Sequence, residues 1–133
     1  MVIDASVWVS RELPRDANHP TAVAWLNEHL PHAAVIAVPA IALAEVAGAI
    51  ARRSGQAAEG RRALELIEAV PRLQVVAIDG PLGRQAAQVA ADHRLRGADA
   101  LYVAVAARLG VPLVTFDDEL AARGAAIVEI IRP

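Results

Sequence analysis

The chain has 133 residues and a formal net charge of −2, with no cysteine, and all 13 of its Lys+Arg positions are arginine. That length suits one domain with a single core. The missing cysteine excludes disulfides, zinc–thiolate sites and thiol nucleophiles, and the missing lysine excludes a P-loop, a Schiff base and a lysine phosphate clamp.

In chain order, Val2-Ile3 begins a first strand that ends at Asp4. Pro20 to Leu30 reads as a helix, with Val23, Leu26 and Leu30 on one face. Ala34 to Val38 is a second short strand, and Pro39 suits the first turn of a helix running to about Arg53, before Gly55. Ala57 to Val70 is a further helix, with Ala63, Leu64 and Ile67 inward. Leu73 to Ile78 is a third strand, and Asp79 stands at the N-cap of a helix from Pro81 to His93. Ala98 to Leu109 is a nearly all-apolar helix, broken by Gly110-Val111-Pro112. Leu113 to Thr115 is a fourth strand, Asp117 to Ala122 a brief helix and Ile127 to Ile131 a last strand. This alternation predicts one α/β domain over residues 1–133, with a mainly parallel sheet between helical layers.

Hydrophobic residues reach 56%. No apolar run attains the roughly 18–20 residues of a spanning helix, and the longest, Val38 to Ile50, is interrupted by Pro39 and Glu45. No membrane association is expected. The opening MVIDASVWV lacks a basic n-region, so no signal peptide is expected and the cytoplasm is the expected compartment. At net charge −2 the molecule as a whole does not attract nucleic acid. A nucleic-acid enzyme of this balance gathers its arginines locally or offsets its acids with bound metal.

Four carboxylates stand out. Asp4 and Asp117 follow strands directly, where α/β sheets form their sites. Each also suits a helix N-cap. Glu45 is the one charge between Ala40 and Ile50, and Asp99 the one acid in the apolar stretch Gly97 to Ala106. A buried carboxylate among such neighbours is costly unless it is paired or binds a cation, and a solvent-facing or helix-dipole role remains the alternative. Asp118 follows Asp117 as a further acid, a cap or a support. Ser6 suits assisting the Asp4 cap, and Thr115 supplies a hydroxyl that suits orienting a neighbouring acid or a metal-bound water. Acids converging in one cleft raise each other's pKa values, which a divalent cation relieves. An all-oxygen donor set favours Mg²⁺ or Mn²⁺, and such a site suits phosphodiester hydrolysis.

Four motifs, in order, carry a family resemblance: Met1-Val2-Ile3-Asp4-Ala5-Ser6-Val7-Trp8, Pro39-Ala40-Ile41-Ala42-Leu43-Ala44-Glu45-Val46, Gly97-Ala98-Asp99-Ala100-Leu101-Tyr102 and Leu113-Val114-Thr115-Phe116-Asp117. Over essentially its whole length the chain resembles PIN-domain ribonucleases, most closely VapC-type toxins of toxin–antitoxin pairs. The resemblance implies a three-layer α/β/α sandwich and a metal-dependent endoribonuclease of a type II toxin–antitoxin system, cleaving RNA phosphodiesters by metal-activated water. It implies Asp4, Glu45, Asp99 and Asp117 as the catalytic acids, with Mg²⁺, or Mn²⁺ in its place, held by Asp4, Asp99 and Asp117. Ser6, Thr115 and Asp118 take supporting roles. It also implies a homodimer and a small antitoxin partner that blocks the site. The residues that select an RNA are not readable.

Two rival readings stand beside this one. A PIN-like interaction subunit with a silent site is opposed by the full set of four acids. A Mg²⁺-dependent phosphoryl-transfer domain, of response-regulator or haloacid-dehalogenase type, ordinarily needs a lysine. Among other residues, Arg94-Leu95-Arg96 reads chiefly as a solvated helix end, although it also suits contact with RNA phosphate. Tyr102 reads as a core or interface aromatic. The four histidines lack metal-ligand spacing.

Overall fold

Five short parallel strands make one sheet in the order β3-β2-β1-β4-β5. They are β1 (Val2–Ile3), β2 (Ile36–Pro39), β3 (Leu73–Val76), β4 (Leu113–Val114) and β5 (Ile130–Ile131). The computed structural model describes all residues, Met1–Pro133. The three central strands are buried throughout and lie among apolar residues on both faces, as a parallel sheet between helical layers requires.

Seven helices cover the sheet: α1 (Ala5–Glu12), α2 (His19–His29), α3 (Ile41–Ser54), α4 (Ala57–Glu68), α5 (Gly80–His93), α6 (Gly97–Leu109) and α7 (Asp118–Gly124). Helices α1 to α4 pack among themselves in one layer, and α5 to α7 in the other. That division follows from right-handed crossovers. The chain moves one way from β1 to β3 and returns to β4 on the far side of β1, so the later helices fall on the opposite face. Helix α6 shows no amphipathic stripe because it needs none: Ala100 to Ala106 are all buried, and it lies across β1, β2 and β4. Gly55 (φ 74°) and Gly110 (φ 63°) end α3 and α6 in the left-handed conformation that glycine adopts without steric cost. Helices α3 and α4 form a hairpin whose close approach depends on Gly60. A Cβ there would collide with the Ala47 carbonyl oxygen and stand 3.0 Å from Ala51 Cβ.

The sheet is parallel throughout, in a three-layer α/β/α arrangement as expected, with several boundaries shifted. Helix α1 is an addition to the predicted elements. Pro39 ends β2 rather than opening α3. It pairs with Val76, and the next amide, Ala40 N, donates to the Val76 carbonyl. Strand β3 stops at Val76 because its partner β2 stops there. The last strand keeps only Ile130–Ile131, since the amides of Ile127 and Val128 are spent on the Gly124 carbonyl at the end of α7.

Candidate functional site

The strand order reverses between β1 and β4. Such a switch point opens a crevice beyond the carboxyl ends of its two strands. Register pairs Ile3 with Val114, so the residues that follow, Asp4 and Thr115, leave the sheet side by side. Asp4 is 6% exposed and Thr115 is fully buried. One oxygen of Asp4, Oδ2, accepts hydrogen bonds from the Ser6 hydroxyl, from Thr115 Oγ1 at 2.8 Å and from the Ser6 amide at 3.3 Å. Each hydroxyl is itself oriented by a backbone amide. Phe116 N donates to Ser6 Oγ (3.1 Å) and Asp117 N to Thr115 Oγ1 (2.9 Å). Burial pushes the Asp4 carboxyl above the usual carboxylate range, against the pull of these donors.

Asp117 is the N-cap of α7, and its Oδ1 accepts from Leu120 N at 2.8 Å. Its Oδ2 faces the guanidinium of Arg96, 3.4 Å from Nη2. Asp4 likewise caps α1. Capping and presentation to a crevice are therefore compatible: one oxygen holds the helix and the other remains for something else.

Asp99 lies in the first turn of α6, with Oδ2 3.0 Å from Arg96 Nε. That oxygen is buried and lacks a well-aligned hydrogen bond. Burial raises the Asp99 carboxyl, Arg96 opposes the shift, and the charges of Asp117 and Asp4 add to it. Glu45 stands half-buried on α3, opposite α6, and accepts from the Tyr102 hydroxyl at 2.6 Å. Its carboxyl is also raised, by burial first. Tyr102 pulls it back, while Asp4 and Asp99 push it further. The Tyr102 phenol is held protonated well above its ordinary range by burial and the nearby Asp4 charge.

Asp4, Glu45, Asp99 and Asp117 thus come from four elements to the same end of the sheet, where Asp4 and Asp99 act on each other and on Glu45, and Asp117 acts on Asp99. Asp118 is not with them. Its side chain is 94% exposed and pairs with Arg132 at 2.7 Å, because the first turn of α7 rotates it away from its neighbour. Asp79 caps α5 through Leu82 N, as its strand-end position suggested. Beside Ser6 and Glu45 lies a groove of about 530 Å³ between α1 and α3, lined also by Ala5, Val9, Ala44, Ala49 and Arg52.

Two members of the cluster were not singled out for it in the sequence: Tyr102, read there as a core or interface aromatic, and Arg96, read chiefly as a solvated helix end. The signal that places them is spacing. Asp99 and Tyr102, three apart, share one face of α6, and Arg96 stands three residues before Asp99, just ahead of that helix.

As a cation site, the donor chemistry fits. All four groups are carboxylates, which suit a hard divalent ion, and the buried Asp99 Oδ2 lacks a satisfying partner. As the side chains stand, no three acids close on a common point. A guanidinium lies between two of them instead.

Known proteins match the chain end to end. The sequence profile of the PIN domain covers residues 1–126. No curated protein sequence matches. Among solved structures, VapC20 of Mycobacterium tuberculosis, described as a sarcin–ricin loop cleaving toxin, aligns at 26% identity and a TM-score of 0.81, covering 99% of this chain and 98% of that one. FitAcB of Neisseria gonorrhoeae aligns at 21% identity and TM-score 0.71, over 98% and 95% of the two chains. VapBC2 of Rickettsia felis, bound to a fragment of its promoter DNA, aligns at 14% and 0.68, over 98% and 96%. The structural neighbours include VapC toxins, and on the match over residues 1–126 the chain belongs to the PIN domain family.

Proposed function

We propose that this chain is a Mg²⁺-dependent endoribonuclease, the toxin of a type II toxin–antitoxin pair, with Mn²⁺ as an alternative metal. The observation that carries the reading is the gathering of Asp4, Glu45, Asp99 and Asp117 at the switch point, three of them held above their ordinary pKa. Uncompensated, such a cluster opposes folding, so its presence argues for a cationic ligand. Asp4, Asp99 and Asp117 are the residues that would hold the cation. When bound, it supplies charge neutralisation at the phosphate and acidifies a water for attack on phosphorus. Ser6 and Thr115 fix the Asp4 carboxylate. Tyr102 orients Glu45, whose carboxyl, raised by burial, takes up a proton more readily than a free one. The groove beside Glu45 leads toward Arg52, which suits the path of an RNA strand.

RNA as substrate draws support from the likeness to VapC20, a sarcin–ricin loop cleaving toxin, and an antitoxin partner from the toxin–antitoxin complexes among the structural neighbours. A homodimer and a cytoplasmic setting complete the reading. The test uses the purified chain, freed of any partner, with fluorogenic RNAs that include a sarcin–ricin hairpin. The expected result is cleavage that needs Mg²⁺ or Mn²⁺ and is lost in Asp4→Asn and Asp99→Asn. Cleavage that persists unchanged in either variant would remove the proposed site. No cleavage of any RNA would favour a silent interaction subunit.

A further inference from the structure

Arg96 occupies an unusual place for an exposed residue. It precedes α6 with extended backbone (φ −63°, ψ 150°), and its side chain is 68% exposed. Yet its guanidinium reaches back to the acids. Nε stands 3.0 Å from Asp99 Oδ2 and Nη2 stands 3.4 Å from Asp117 Oδ2, with Glu119 at 3.9 Å. No other arginine is ion-paired to any of the four acids. Asp99 and Asp117 face each other from the starts of α6 and α7, and a single guanidinium spans them.

We propose that Arg96 is an internal competitor for the divalent cation, holding Asp99 and Asp117 until a cation takes the same oxygens and drives the guanidinium out. The proposal rests on the cation-site reading given above. Two positive groups cannot share Asp99 Oδ2 and Asp117 Oδ2 at these distances. Exchange is physically easy for three reasons. The guanidinium stands in solvent, which weakens its ion pairs. The Arg96–Asp99 contact is poorly aligned, leaving a buried oxygen without a proper hydrogen bond. The side chain is long and has solvent on its outer side, so it leaves without repacking the core. A doubly charged ion binding carboxylate oxygens directly gains more from the same acids than a delocalised single charge. Arg96 thereby sets the cation concentration at which the site fills.

The test combines two measurements on the intact chain. In the first, the Arg96 side-chain Nε–Hε signal is followed by ¹⁵N NMR in EDTA and through a Mg²⁺ titration, and is assigned by its absence in Arg96→Gln. The signal is expected to move toward the position of free arginine with the same midpoint as the Asp99 amide. In the second, Mg²⁺ and Mn²⁺ affinities are measured by calorimetry. Arg96→Gln is expected to bind about three- to tenfold more tightly, the scale set by one or two ion pairs to a solvent-exposed guanidinium. Arg94→Gln, which removes a neighbouring charge that is in no ion pair, is expected to stay within about twofold. A saturating cation that leaves the Arg96 signal unmoved, or an Arg96→Gln affinity no better than that of Arg94→Gln, overturns the competitor role and spares the cation site. Failure of all three proteins to bind either metal overturns the cation site, and this proposal with it.

Discussion

Thr115→Val tests the support of Asp4 most directly, because valine keeps the shape of threonine and removes only the hydroxyl. Thr115 is fully buried, and its hydroxyl has two close partners, Asp4 Oδ2, to which it donates at 2.8 Å, and Asp117 N, from which it accepts at 2.9 Å, with Ser6 Oγ farther off at 3.4 Å. A hydrogen bond to a charged group contributes about 1.5–3 kcal/mol, and an orphaned amide costs about 1–3 kcal/mol. Asp117 is only partly buried, so water reaches its amide and the low end applies there. The added methyl returns somewhat under about 1 kcal/mol. The net loss is about 2–3 kcal/mol. Unfolding entropy near 2.1 cal/mol/K per residue over 133 residues gives about 0.28 kcal/mol/K, so Tm falls by about 7–11 °C. Calorimetric melts in EDTA at neutral pH read this, with Thr115→Ser as the variant that restores the hydroxyl. The pH dependence has a definite sign. The hydroxyl stabilises ionised Asp4, whose folded pKa is raised by burial. The gap between variant and parent therefore narrows as pH falls through that folded value and Asp4 takes up its proton. A Thr115→Val melt within about 2 °C of the parent, or a gap that widens on acidification, refutes the reasoning.

Asp4→Asn keeps an acceptor for Ser6 and Thr115 and removes the charge. The folded pKa of Asp4 is raised, so its ionisation opposes folding; the penalty is absent below the unfolded pKa and complete above the folded one. In EDTA the variant is expected to melt above the parent at neutral pH and level with it in acid, while RNA cleavage falls at least about 100-fold; a lower neutral melt contradicts this. Tyr102→Phe removes the 2.6 Å donor that pulls the Glu45 carboxyl down. The acid limb of the cleavage pH profile is then expected to move to higher pH, and superimposable profiles would show that Glu45 ionisation does not govern the rate. Gly60→Ala places a Cβ against the Ala47 carbonyl. Overpacking of about 1–3 kcal/mol is opposed by a helix-propensity gain of about 0.8–1 kcal/mol, so the urea midpoint drops. Gly83→Ala, with open space around its Cβ position, is expected to raise it. Both shifts in the same direction would count against the α3–α4 contact as described.

Much of this molecule is determined locally and is legible in the sequence. Apolar runs that end in Asp4 and Asp117, glycines after α3 and α6, and lone acids in apolar helices follow from covalent geometry, helix capping and the cost of burying charge. They give the α/β class and select the four acids. Tertiary structure alone decides what surrounds those acids. That Asp4 and Thr115 are neighbours depends on the pairing of β1 with β4 across more than a hundred residues of chain. Strand pairing of that range leaves no periodic trace. The bond from Tyr102 to Glu45 needs helices from opposite layers to meet beyond the carboxyl ends of the strands. Asp117 and Asp118 look alike in sequence, and the first turn of α7 separates them, sending one to the crevice and the other to Arg132. Arg96 shows the limit most clearly. Its spacing from Asp99 was readable, but its reach to Asp117 exists only because α6 and α7 begin at the same end of the strands.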